Sequence, residues 1–229
     1  MKTGDICDAL ESDGFVHLRC FMPDMSTRQV AEAIGQITDH RLLAGVTDSV
    51  VQQLKPRPKT GFALHRYYGH FGFEEYPAHT DLAHWIVPPR YLVLRARNGA
   101  SQVATHVYNQ RGSLRLLDTK LLNSAIFAPS NVHRALVPMA MRVCKELPFS
   151  IRWDPLFIQP INDSAKKCAS VVHSADFAEL RFAVVLEEHA DTLIIDNWRA
   201  LHGRGAVPPE ATNRRVDRIY LDALHGYSG

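Results

Sequence analysis

Two residue types at one spacing set the chemistry worth looking for. In Pro77-Ala78-His79-Thr80-Asp81-Leu82 an imidazole and a carboxylate stand two positions apart. On an extended chain the side chains at i and i+2 share a face, so His79 and Asp81 can hold one ion together. Imidazole with carboxylate suits a borderline divalent metal such as Fe(II) better than calcium or magnesium. Two ligands are too few, and the best third donor is His202, in the run DTLIIDNWRALHGR that ends at Arg204. There an apolar strand runs out into a polar turn, which can bring a histidine to face a cavity. Two histidines and one carboxylate on one face leave coordination positions for other ligands, the arrangement of non-haem Fe(II) oxygenases. An H-x-D tripeptide recurs by chance, and in a chain with 12 histidines spacing alone decides little. His84, His106, His133 and His189 read as ordinary strand or turn residues.

A more specific signal lies downstream. The run DNWRALHGR (196–204), followed by RRVDRIYL (214–221), resembles the C-terminal signature of the taurine dioxygenase-like family of Fe(II)/2-oxoglutarate oxygenases. His79 and Asp81 lie upstream of it, as that family requires, and the resemblance covers roughly residues 60–221. It implies a double-stranded β-helix (jelly roll) and a metal held by His79, Asp81 and His202. The cosubstrates it implies are 2-oxoglutarate and O2. In the family an arginine some fifteen residues past the distal histidine grips the remote carboxylate of 2-oxoglutarate. Arg218 stands at +16 and Arg214 at +12 from His202, and Thr105 occupies the place of the threonine that often assists. Guanidinium matches a carboxylate as a bidentate fork. On a strand Arg214 and Arg218 would face one side and Arg215 the other. The chain departs from the family in two ways. His202 follows only 123 positions after His79, and Asn98-Gly99-Ala100-Ser101-Gln102 replaces the glycine pair before the threonine. Because Asp81 is present, halogenation is not expected.

The implied activity is oxidation of an unactivated C–H bond, as hydroxylation or a related desaturation or cyclisation. The substrate would be a small polar metabolite, such as an amino acid or natural-product intermediate. Leu64-His65-Arg66-Tyr67-Tyr68-Gly69-His70-Phe71 mixes aromatics with cations ahead of the metal motif. His65, Tyr67 and Trp85 are candidates for the pocket mouth, with Arg204 beside the distal histidine. Two other readings stay open: a zinc-type hydrolytic metalloenzyme using the same ligands, and a non-catalytic jelly-roll module that binds a metabolite. The first would leave Arg218 and Thr105 without a role.

These residues need a scaffold. A chain of 229 residues suits one domain, with a helical part to about residue 60 and a β-rich core over about 61–221. A short helix at 5–11 is stopped by Ser12-Asp13-Gly14, and Phe15–Leu18 reads as a strand. Ser26 and Gln29 have capping-box spacing, and Val30, Ile34 and Ile37 predict an amphipathic helix to about residue 40. Short apolar segments at 62–68, 83–87, 91–97, 102–108, 124–128, 134–137, 149–152, 181–187, 192–197 and 214–221 predict strands. A helix is expected at 113–122, and a second opening at Ser174. Many short strands with turn signals between them mean a sandwich or barrel of the jelly-roll type.

Composition narrows the function classes. A net charge of +2 without runs of like charge argues against a nucleic-acid partner. Four scattered cysteines form no CxxC pair, which suits a reducing cytoplasm. The acidic N-terminus does not read as a signal peptide, and no apolar run approaches the ~18 residues of a membrane span. The expectation is a cytoplasmic enzyme of one small-molecule substrate, with no membrane partner and an oligomeric state the sequence leaves open.

Overall fold

The computed structural model describes residues 3–39, 49–63, 66–130, 139–144, 147 and 150–226. The chain opens with α1 (Thr3–Asp13), β1 (Phe15–Leu18), α2 (Thr27–Ile34), β2 (Gly35–Ile37) and β3 (Gln52–Leu54). Next come α3 (Tyr67–Phe71), β4 (Tyr76–His79), β5 (Tyr91–Asn98) and β6 (Ala104–Tyr108). The middle holds α4 (Gln110–Ser113), α5 (Thr119–Ser124), β7 (Ile126–Pro129), β8 (Met139–Ala140), β9 (Ile158–Pro160), α6 (Asp163–Val172) and α7 (Ala175–Ala178). It closes with β10 (Arg181–Val185), β11 (Thr192–Asp196), β12 (Leu201–Arg204) and β13 (Arg215–Leu224).

The architecture is mainly antiparallel β with flanking helices. One sheet runs β1-β11-β5-β13-β2, with β3 also paired to β13. A second runs β10-β6-β12-β4, and a small third runs β8-β7-β9. Period-two alternation assigns each side chain a layer. Leu92, Leu94, Ala96, Leu193, Ile195, Val216 and Tyr220 of the first sheet meet Val107 and Val184 of the second in one core. The intervening residues Tyr91, Val93, Ile194, Ile219 and Leu221 pack on the opposite face against Ile6, Leu10, Ala31 and Ile34 of α1 and α2. The first sheet is therefore covered on both faces, which explains why 91–96 reads as a nearly unbroken apolar run. The outer face of the second sheet, with Ala78, Tyr108 and Leu201, packs on Leu122, Phe127, Cys168 and Phe177.

Several elements differ from the sequence reading. The Ser26 capping box forms, but α2 ends at Ile34. Gly35 lies so close to β13 that a Cβ there would sit 2.3 Å from Ala223 O, and Ile37 pairs with Leu221 as a strand residue. Ile37 therefore carries strand burial inside what looked like helical spacing. The expected helix at 113–122 is two, because the Asp118 carboxylate accepts from Lys120 N and opens α5 afresh. Residues 67–71 are helical and 83–87 are turns and bends, so the described residues of 62–68 and the segment 83–87 form no strand. Residues 150–152 join no sheet. The 134–137 segment and His133 lie outside the described residues. The helix α6, capped by Asn162 and burying Ala165, Cys168 and Val172, was missed; Ser174 does cap α7. The N-terminal part supplies strands as well as helices, since β1, β2 and β3 pair into the first sheet.

Gly203 governs how closely β4 and β12 approach. A Cβ there would lie 2.5 Å from the Tyr76 backbone oxygen, at the point where the register shifts between His202 and Arg204. Backbone cannot yield as a flexible side chain does. Gly203→Ala is expected to destabilise the protein by about 2 kcal/mol and to weaken divalent-metal binding with it. Denaturant unfolding and metal titration of the purified variant measure both.

Candidate metal centre

Two strands and one turn bring His79, Asp81 and His202 together. His79 ends β4 and lies directly opposite His202 of β12 in the ladder. Directly opposed residues share a face, and the two rings stand 4.4 Å apart between centroids. Asp81 lies past the end of β4, in a turn whose next residue, Leu82, has φ of +58°. The shared face expected for an extended H-x-D segment is therefore reached with the carboxylate outside the strand. Asp81 Oδ1 is 3.5 Å from His79 Nε2 and 3.9 Å from His202 Nε2. One ligand atom from each residue lies within 4.8 Å of the others, and all three residues are buried.

Asn197 holds that turn in place. Asp81 N donates to Asn197 Oδ1 at 3.0 Å, and Asn197 Nδ2 donates to Asp81 O at 3.1 Å and to Pro89 O at 2.9 Å. Asn197 follows the last residue of β11, where the chain crosses from the first sheet to the second, so the crossing that delivers His202 also clamps Asp81. It lies in the DNW run, yet nothing in the run marks it as a clamp.

The carboxylate is divided between two tasks. Arg218 Nη1 and Tyr220 Oη donate to Asp81 Oδ2 at 3.0 and 2.9 Å, which leaves Oδ1 to the imidazoles. Arg218 in turn donates to Gln52 Oε1 from Nε and Nη2. Burial opposes the charge of Asp81, yet Arg218, and after it the two histidines, hold its carboxyl well below the usual carboxylate range. Burial, with His79 adding to it, pushes His202 down to about 3. His79 goes the other way: burial lowers its pKa, but the Asp81 carboxylate more than offsets this. His79 Nδ1 lies 2.9 Å from Pro77 O, which can only accept, so that nitrogen carries a hydrogen; Nε2, toward Asp81 and His202, is where the ring takes or releases its second proton. A backbone-anchored imidazole of this kind is the usual outer support of a metal-ligating histidine. The donor set and its orientation fit a borderline divalent ion.

The two arginines singled out in the sequence differ. Arg218 is engaged by Asp81 and Gln52. Arg214 is 6% exposed, forms no ion pair among the described residues, and has its Nε without a partner. Burial, with Arg204 adding to it, pushes its pKa down to about 10, so it remains a cation at neutral pH. Buried Thr105 lies in register with Arg204 on β12 and Val184 on β10, on the face that carries His202. Arg204 donates to Gly72 O, Glu74 O and Gly205 O and covers the Tyr76 ring at 3.6 Å, which makes it a brace for the 72–76 turn. Tyr67 stacks on His79 at 4.3 Å. Trp85 packs against the core between the sheets, and Arg152 donates to its carbonyl. His65 lies outside the described residues. Sequence reasoning missed Asn197, Gln52 and Tyr220; of these only Tyr220, two positions from Arg218 on one strand face, had a signal.

No protein-family model and no curated protein matches the chain. Solved structures do. An asparagine oxygenase in complex with Fe(II), 2S,3S-3-hydroxyasparagine and succinate is similar at TM-score 0.69 and 17% identity, over 96% of this chain and 78% of that one. PvcB from Pseudomonas aeruginosa is similar at TM-score 0.68 and 15% identity, over 98% and 82%. The non-haem iron oxygenase OrfP, in complex with Fe, succinate and (3S)-hydroxy-L-Arg, is similar at TM-score 0.58 and 21% identity, over 75% and 56%. The chain thus has the fold of these oxygenases. Among the described residues no helix is long and apolar enough to cross a membrane.

Two outcomes follow. Asn197→Ala leaves buried backbone groups of Asp81 and Pro89 without partners, and is expected to cost about 2–4 kcal/mol of stability along with divalent-metal affinity. Chemical denaturation and metal titration test it. The pH dependence of metal binding follows from the imidazoles. His202 and Asp81 are already deprotonated above about pH 4, whereas His79 holds its proton above the ordinary histidine value. Affinity for Co(II) should be flat at high pH and fall about tenfold per unit below the His79 pKa, as one proton competes with the ion. Calorimetry in buffers of different ionisation enthalpy should count about one proton released per ion near pH 6.

Proposed function

We propose that the protein is an Fe(II)/2-oxoglutarate-dependent oxygenase of the taurine dioxygenase-like type, built on a double-stranded β-helix, that oxidises a C–H bond of a small polar metabolite. The observation that carries this is the convergence of His79, Asp81 and His202 on the inner face of the second sheet, with the unpaired buried cation Arg214 near Arg204, two positions past His202. Two histidines and a carboxylate suit Fe(II). A buried guanidinium with no carboxylate of its own suits a dicarboxylic acid. The similar structures support the reading through their iron, their succinate and their hydroxylated amino acids, and the PvcB structure through its description as an Fe, alpha-ketoglutarate dependent oxygenase.

Bound among His79, Asp81 and His202, the iron would supply O2 activation coupled to conversion of 2-oxoglutarate to succinate and carbon dioxide. The chain's own residues do the rest. Arg214, assisted by Thr105, grips the remote carboxylate of 2-oxoglutarate. Arg218 is assigned to Asp81 instead: with Tyr220 it fixes Oδ2 and so aims Oδ1 at the metal. Tyr67 covers one face of His79, and the apolar layer between the sheets keeps water from the reacting centre. The substrate class favoured by the similar structures is an amino acid or a close derivative.

The anaerobic visible band of the Fe(II)–2-oxoglutarate chelate tests this. Wild type should form it, and Arg214→Ala should need on the order of 100-fold more 2-oxoglutarate, the scale of a lost charge-assisted pair. Arg218→Ala should instead weaken Fe(II) binding, by roughly 10–100-fold, as loss of an outer support does. Absence of the band with Fe(II) demonstrably bound would remove the oxygenase reading and favour a zinc hydrolase or a binding module.

A further inference from the structure

Asp154 lies beside the metal-ligand cluster and has no part in the roles assigned so far. It is 1% exposed. Its Oδ1 accepts from Leu156 N at 2.8 Å and Phe157 N at 3.0 Å, which orients the carboxyl. No ion pair reaches it among the described residues; the cationic neighbour acting on it is His79. The segment carrying it runs alongside the ligands. Thr80, between His79 and Asp81, donates from N to Trp153 O at 2.6 Å, and Trp153 N donates to Thr80 Oγ1 at 3.2 Å. Tyr67 connects the two regions: its ring stacks on His79 and meets the Phe157 ring at 5.7 Å. The buried Tyr67 hydroxyl faces the Asp154 carboxylate, its foremost charged neighbour, at the edge of hydrogen-bond reach.

We propose that Asp154, with the Tyr67 hydroxyl beside it, binds a cationic nitrogen of the substrate, an ammonium or guanidinium group. The inference rests on the oxygenase reading and narrows its substrate class. A carboxylate out of water requires a counter-charge or a proton. Two backbone amides already hold Asp154 in the acceptor orientation, so a charged N–H donor is the complementary group. Tyr67 supplies a second polar atom at the same place and, by stacking on His79, sets the bound nitrogen a short distance from the metal ligands. An amine-bearing substrate would then be anchored by one end while a carbon near that nitrogen is presented for oxidation.

The test uses the full chain loaded anaerobically with Fe(II) and 2-oxoglutarate. L-Arginine, L-lysine, L-ornithine, L-asparagine, putrescine and agmatine are titrated by calorimetry and by perturbation of the chelate band. At least one cation should bind to wild type. Asp154→Asn should weaken that ligand at least 30-fold, and Tyr67→Phe several-fold, with 2-oxoglutarate affinity unchanged in both. The uncharged counterpart of the same ligand (citrulline for arginine, the N-acetyl form for an amine) should bind the two proteins alike. The side-chain amide introduced by Asp154→Asn retains an Oδ1 acceptor for Leu156 N and Phe157 N, so the turn is preserved; Tyr67→Phe carries the test if that variant does not fold. A chelate band without binding of any cation, or Asp154→Asn within twofold of wild type, overturns the inference. Failure of the band itself refutes the oxygenase reading and this inference together.

Discussion

The site depends on one buried negative charge. Asp81 is an ionised carboxylate between two apolar sheets, a position that costs several kcal/mol unless each oxygen is engaged. The structure meets that demand by splitting the group. Oδ2 is taken by Arg218 and Tyr220, and Oδ1 is left facing two imidazoles. A buried ion pair of this kind is weak evidence for stability. Its value lies in fixing which oxygen points where, because a carboxylate free to rotate would present a different edge to the metal. The Asn197 bonds to both the N–H and the C=O of Asp81 do the same for its backbone.

Stability must then come from elsewhere, and the layers show where. The first sheet has an apolar layer on each face, and the second has its own outer cluster against α5, α6 and α7. Two further buried guanidiniums act as fasteners of loops. Arg95 donates to Phe21 O, Met22 O and Met25 O, tying the loop before α2 to the first sheet. Arg152 donates to Ala83 O, Trp85 O and Ile86 O, fixing the turns that follow Asp81. Burial pushes Arg152 down to about 10, yet it stays charged, and it donates to carbonyls of the loop that follows Asp81. Loops of this kind are ordered by side chains reaching across the fold, not by their own composition.

What the sequence made legible follows from this division. His79, Asp81 and His202 could be picked out because H-x-D is a local spacing and DNWRALHGR is a continuous run. The strands 91–97, 181–187 and 192–197 could be found because burial on a pleat leaves an apolar pattern. Partners set by register could not be read. Arg218 meets Gln52 because β3 pairs with β13, and Arg214 is left without a carboxylate because no acidic group among the described residues reaches it. The two arginines look equivalent in R-x-x-x-R; only the strands packed around them separate a cation that is matched from one that is not. Asp154 carried no signal either, since its nearness to Thr80 depends on how a long connection returns to the second sheet. Ile37 misled for a complementary reason: one buried apolar residue fits a helix period and a strand equally, and Gly35 with its close approach to Ala223 decided the matter.

The candidate ligands and their supports also come from different sheets, and this links assembly of the site to assembly of the fold. His79 and His202 belong to the second sheet, while Arg218, Tyr220 and Gln52 belong to the first. Asp81 is the point where they meet. Two sheets that slide or separate would leave both imidazoles paired across β4 and β12 yet remove the charge that keeps Asp81 ionised and aimed. An ion held by all three residues is bound only by the closed sandwich, so binding free energy stabilises the packing of one sheet on the other. The same geometry gives the inner layer its weight: Leu92, Leu94, Leu193, Ile195 and Val216 packed on Val107 and Val184 hold the two sheets at the spacing at which Arg218 reaches Asp81, before any ion arrives.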